Sequence, residues 1–243
     1  VEKENCIMAL PRLNDSPNYN LVIPSLKQNV KFRPFLVKEE KVLLMALESE
    51  DQNQILNTVI DTIKTCVTED IDSTKLTTFD IEYMFLKIRA KSVGETSNIT
   101  MKCNECESEN DISLNIDSIE IEVPDISNVI ELDDQISIEM GWPTFNDVIH
   151  NDILSSESNV DQIFGLIRSS IVAIRTAEER FSAKDQTVKE MDTFIESMNN
   201  KQFAKVREYV EKMPRLKHDV TFDCKKCNHK NHTEIEGMQN FFS

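Results

Sequence analysis

The sequence predicts an α+β protein, mainly helical, with a small zinc-ribbon-like β module closed by two distant Cys-x-x-Cys knuckles. Three observations carry this. Glycine is scarce, with 4 residues in 243, where about 7% is usual; that disfavours phosphate-cradling loops and sheets rich in tight turns. Long stretches repeat apolar residues at helical spacing. Two Cys-x-x-Cys pairs, far apart in the chain, each follow a run that alternates apolar and polar residues.

Residues 1–36 read as an irregular N-terminal arm marked by Pro11, Pro17, Pro24 and Pro34. Within it, "NLVIPSLKQNVKFRPF" has the alternation of a short hairpin, with Val30 and Phe32 on one face of its second strand. Residues 37–98 read as a helical region. "DQNQILNTVIDTIKTCV" repeats Ile55, Leu56, Val59, Ile60, Ile63 and Val67 at helical spacing, and Cys66 joins that stripe as a core thiol. "TTFDIEYMFLKIRAKSVG" is the next helix. Thr78 is its expected N-cap, Asp80 sits in the first turn where a carboxylate meets the positive end of the helix dipole, and Gly94 suits its end.

Residues 99–123 change to a period of two, with Ile112, Leu114 and Ile116 on one face, and form the first half of the ribbon. Residues 124–217 read as a mixed, mostly helical insertion. Strand-like "ISIEMGW" is followed by helices at "TFNDVIHNDIL", "NVDQIFGLIRSSIVAIRT", "TVKEMDTFIESM" and "KQFAKVREYVEKM". Residues 218–243 return to strand at "HDVTFDCKKC", completing the ribbon and ending in a tail. No internal repeat stands out.

The cysteines carry the chemistry. Cys103 and Cys106 in "MKCNEC" match Cys224 and Cys227 in "FDCKKC". A tight turn that aims two thiolates at one ion is a zinc knuckle, and two knuckles supply the four sulfurs of a structural zinc site. His229 and His232 follow Cys227 too closely to complete a finger-type site, which needs roughly twelve intervening residues for a helix to fold back. Residues 107–223 intervene between the pairs, at little cost. Lengthening a closed loop from ~15 to ~120 residues takes roughly 2 kcal/mol, against the ~10–16 kcal/mol that structural zinc binding supplies. A redox pair would open a helix whose N-terminus lowers a thiol pKa, and neither pair precedes a convincing helix.

Charge and motifs bound the remaining classes. The net charge of −16 repels nucleic acid over most of the surface, although Lys225, Lys226 and Lys230 leave a regulatory zinc-ribbon module touching nucleic acid as an open alternative. A thiol–disulfide enzyme is a second one. The longest apolar run, "VLLMAL", is far short of the ~18 residues that span a bilayer, so a cytosolic protein with reduced thiols is expected. The sequence contains no Walker loop, G-x-G-x-x-G, H-E-x-x-H or G-x-S-x-G motif. No catalytic residue and no small-molecule substrate are expected.

Three stretches resemble a family of baseplate hub subunits or hub assembly proteins of T-even-like phages with contractile tails. They are "IPS…VKFRPFLVKEEKVLLMALES", "FDIEYMFLKIRAKSVGE" and "F..VREYVEKMPRLKHDVTFDCKKCN…TEIEGMQNFF". The resemblance covers both ends well and residues 117–200 loosely. It implies a non-enzymatic role in building the tail baseplate hub through contacts with other hub proteins. It also implies residence in the host cytoplasm during assembly, and leaves open whether the protein stays in the virion. Candidate partner anchors are Phe241 and Phe242 in the terminal "GMQNFFS", the alternative being that they fold back onto the ribbon. Phe32 and Phe35 around Arg33 are further candidates; packing of the arm onto its own helices is the alternative there.

Overall fold

One helix, α3 (Thr78–Ser92), is apolar on almost every side, with ten of its 15 residues buried. A helix buried all round must be covered on more than one face, and the rest of the chain supplies two layers that do so. The computed structural model describes residues 16–49, 51–150 and 158–237.

The first layer is N-terminal. Strands β1 (Tyr19–Ile23) and β2 (Gln28–Phe32) form an antiparallel hairpin whose alternation buries Leu21, Ile23, Val30 and Phe32. Helices α1 (Val37–Glu48) and α2 (Gln52–Cys66) follow. The hairpin, α2 and the Ile81, Met84, Phe85 and Ile88 side of α3 share one core. Backbone bonds from Arg33 N–H to Cys66 O (2.9 Å) and from Thr68 N–H to Lys31 O (2.9 Å) fasten β2 to the end of α2. Burial pushes the Cys66 thiol up to about 11, as suits a core thiol.

The second layer lies on the Leu86 and Ala90 side of α3 and contains two more hairpins. Strands β3 (Thr96–Lys102) and β4 (Glu109–Asn115) make one; β9 (Lys217–Asp223) and β10 (Lys230–Glu236) make the other. Ile99, Leu114, Val220 and Ile235 from the two hairpins meet in one core beneath α3.

Between these hairpins sits an insertion with its own core. Strands β5 (Val129–Glu131), β6 (Ser137–Met140), β7 (Ile171–Arg175) and β8 (Arg180–Ser182) form an antiparallel sheet in that order. Helices α5 (Asn159–Ser170), α6 (Val188–Glu196) and α7 (Asn200–Glu211) pack on it around Ile138, Ile167, Ile195 and Val206. The short helix α4 (Phe145–His150) returns to the body. Phe145 enters the first core, and its N–H bonds Leu76 O at 2.9 Å.

Among the described residues the expected helical majority is absent: helix accounts for 41% and strand for 27%, in four small sheets. Much of the difference falls in the insertion. "NVDQIFGLIRSSIVAIRT" is not one helix; it turns to strand at Ile171. Ile171, Val172 and Ile174 are β-branched, and pairing with β6 on one side and β8 on the other offers them a ladder that a helix does not. The cap of α3 is also shifted by one residue. Thr77, not Thr78, is the N-cap, because its hydroxyl accepts from Asp80 N–H while the Asp80 carboxylate accepts from Thr77 N–H (2.9 Å).

Asp80 does more than cap. It is fully buried, and it also accepts from Ser25 N–H at 2.9 Å, tying the β1–β2 turn to α3. Asp80→Ala leaves several donors unpaired and is expected to cost about 3 kcal/mol in urea unfolding. Glu39 gives an acid limb. Burial raises its pKa, but bonds from Arg33, Leu36 N–H and Lys38 outweigh that and hold it below the ordinary carboxylate value. Its contribution is complete above the unfolded pKa and is lost as pH falls through the lowered folded one. Glu39→Gln should therefore flatten the acid side of a stability–pH profile.

Candidate metal centre

Each half of the second layer ends in the same turn. After β3, Cys103 N–H donates to Ser108 O and Glu107 N–H to Cys103 O, both at 2.9 Å. After β9, Cys224 N–H donates to His229 O and Asn228 N–H to Cys224 O, again both at 2.9 Å. Glu107 and Asn228 take the left-handed conformation, with φ of 55° and 57°, which reverses the chain after the second cysteine. Each turn thus presents its two thiols on one side.

The two turns face each other. The four sulfurs of Cys103, Cys106, Cys224 and Cys227 all lie within 4.8 Å of one another. Cys103 to Cys227 and Cys106 to Cys224 are both 3.7 Å. That is too long for a disulfide, at about 2.05 Å, and close to the ~3.8 Å edge of a tetrahedron with metal–sulfur bonds of about 2.3 Å. Cys103 and Cys224 are buried and Cys227 is exposed, so the cluster runs from the core to the surface.

Backbone and side-chain donors converge on the sulfurs. Glu105 N–H points to Cys103 Sγ and Lys226 N–H to Cys224 Sγ, each at 3.4 Å. The Ser108 hydroxyl lies 3.1 Å from both Cys106 and Cys224. The hydroxyl first, then N–H donors, lower the Cys224 thiol to about 5. For Cys103, burial raises the pKa, but N–H bonds from Cys106, Glu105 and Asn231 outweigh it and lower the thiol. The opposite holds at Cys227, where a bond from the His229 backbone lowers the pKa but partial loss of water around the thiol and the three neighbouring sulfurs raise it to about 12. Negative charges gathered so closely repel one another. A bound cation would offset that repulsion.

The T4 bacteriophage base plate protein family matches residues 16–243, both turns and the insertion between them included. The chain belongs to that family. No curated protein and no solved structure matches it. In this base plate protein no helix among the described residues is long and apolar enough to cross a membrane.

Other residues singled out in the sequence fall elsewhere. His229 and His232 are exposed, and His232 lies 3.5 Å from Asp219 rather than among the sulfurs. Lys225, Lys226 and Lys230 are exposed, and so are Glu105, Glu107 and Glu109 on the opposite turn. Phe32 is buried in the first core, Phe35 packs against it, and Arg33 pairs with Glu39 at 2.9 Å. Phe241 and Phe242 lie outside the described residues, as do residues 1–15 of the arm.

Two residues went unnoticed in the sequence. Asn110 and Asn231 are buried, and each reaches across to the other turn. Asn231 Oδ1 accepts from Asn104 N–H at 2.8 Å, and Asn110 Oδ1 accepts from Lys225 N–H at 2.9 Å. Their amide nitrogens bond Ser108 O and His229 O in their own turns, and point at Cys224 and Cys103 from 3.8 and 3.6 Å. The signal was a repeat, Cys-x-x-Cys-x-x-x-Asn, present at 103–110 and again at 224–231. The expectation that no repeat exists is therefore corrected: the two hairpins are quasi-equivalent halves. Asn110→Ala and Asn231→Ala should each cost about 1–3 kcal/mol, because each leaves a backbone N–H of the opposite turn unpaired. Urea unfolding of the two single variants should give similar losses.

Proposed function

We propose that the protein is a non-enzymatic structural or assembly component of the phage tail baseplate hub, held in shape by one zinc ion on Cys103, Cys106, Cys224 and Cys227. The observation that carries the metal reading is the sulfur cluster, whose spacing fits a closed tetrahedral site. Closure matters for function. A catalytic zinc keeps an open position for water or substrate, and four cysteine ligands leave none.

The hub role rests on family membership together with the stretches that resemble hub proteins. Its partners are other base plate proteins. A nucleic-acid module is disfavoured because Lys225, Lys226 and Lys230 share the site with Glu105, Glu107 and Glu109 and with the negative charge of the sulfurs. Thiol–disulfide exchange is disfavoured because both pairs sit in hairpin turns, without the helix N-terminus that activates such a thiol.

In this reading the chain's own groups prepare the site. The Glu105 and Lys226 N–H groups and the two asparagine amides hold the sulfurs in place and soften their negative charge. A bound ion would tie residues 103–106 to 224–227 and so join the two hairpins at their turns.

Metal analysis of the purified chain is expected to find one zinc per protein. Cys103→Ser or Cys224→Ser should release it and lower the melting temperature. A metal-free protein whose four thiols titrate freely in the native state would refute the zinc reading. The hub role has a separate test: the protein should co-purify with baseplate hub intermediates from infected cells, and its absence from every tail and intermediate would exclude it.

A further inference from the structure

Helix α1 touches the body along a narrow line. Glu39 and Ala46 are buried, and Leu43 packs partly against the first core. On the rest of the helix Val37, Val42, Leu44, Met45 and Leu47 are 78, 53, 55, 58 and 57% exposed. No other described helix exposes more than two large apolar residues. Single exposed aliphatics are ordinary on any surface, but five on one short helix are not.

The sequence of that helix specifies what fits it. From Lys41 to Glu48 it reads Lys-Val-Leu-Leu-Met-Ala-Leu-Glu, which is complementary to itself when reversed about the point between Leu44 and Met45. Lys41 then opposes Glu48, Val42 opposes Leu47, and Leu44 opposes Met45. Lys41, Leu44, Met45 and Glu48 follow the i, i+3, i+4, i+7 spacing that puts them on one stripe. Lys41 and Glu48 are both exposed, and neither makes an ion pair among the described residues. An isologous contact requires this relation, since residue i of one copy meets j of the other and j meets i.

We propose that α1 is a self-association face on which a second copy of this chain docks antiparallel, with Lys41 of each copy beside Glu48 of the other and Leu44 against Met45. The antiparallel arrangement also sets the two helix dipoles head to tail. The reading is independent of the metal site. A helix of 12 residues, about 18 Å long, offers less than the ~1,200–2,000 Å² of a standard stable interface. The pair is therefore weak, with a dissociation constant in the micromolar range. Two chains of net charge −16 repel at long range, and salt at about 0.15 M, with a screening length of about 8 Å, limits that repulsion.

Sedimentation equilibrium of the full chain at physiological salt tests this. The mass should rise from monomer towards dimer across the micromolar range. Leu44→Glu should weaken the dimer at least about 10-fold with an unchanged circular dichroism spectrum. Lys41→Glu alone should weaken it, because two carboxylates then face each other twice. The double variant Lys41→Glu/Glu48→Lys should restore the wild-type constant to within about 3-fold, since the pairing is only reversed. A monomer at every concentration overturns the proposal. A dimer indifferent to Leu44→Glu, or a charge reversal that fails to restore, also overturns it.

Discussion

The fold depends on covering both sides of α3. A helix with Ile81, Met84 and Ile88 on one side and Leu86 and Ala90 on another cannot rest on a single layer. The N-terminal hairpin and α2 cover the first side from neighbouring sequence. The second side is covered by hairpins from opposite ends of a long insertion, and nothing local holds those two together. The core they share beneath α3 and the two crossing asparagines hold them, and their turns bring the four sulfurs together. Polar groups buried there are satisfied in pairs, each turn supplying what the other lacks.

The insertion is attached to the body elsewhere. Residues 124–216 have their own core, and Phe145 anchors them to the first layer. The chain enters and leaves the insertion at the ends of β4 and β9 remote from the cysteine turns, where Ile116 and Leu216 join the core beneath α3. The exposed face of α1 belongs to the first layer.

Several parts of this organisation were legible in the residues. The stripe from Ile55 to Ile63 and the alternation of Val30 and Phe32 are local periodicities, and local periodicity sets which face of an element turns inward. The paired cysteines were legible because a metal knuckle needs two thiols at a fixed short spacing. Where the reading failed, the deciding groups were remote. β7 continues an apolar run that a helix could also use, and its strand character comes from β6 and β8 on either side of it. The cap moved from Thr78 to Thr77 because the Asp80 carboxylate can close a reciprocal pair only with a residue three positions back.

By itself the sequence determined the layout of helix and strand stripes in the two layers, the paired thiols, and membership in a phage base plate family. Only the tertiary structure decided that Cys103–Asn110 and Cys224–Asn231 are matched halves, that Phe32 belongs to the core, and that the apolar residues of α1 face outward. The physical reason is the same each time. Periodicity fixes the direction of a side chain relative to its own element, whereas burial and hydrogen-bond partnership depend on which distant segment arrives to meet it.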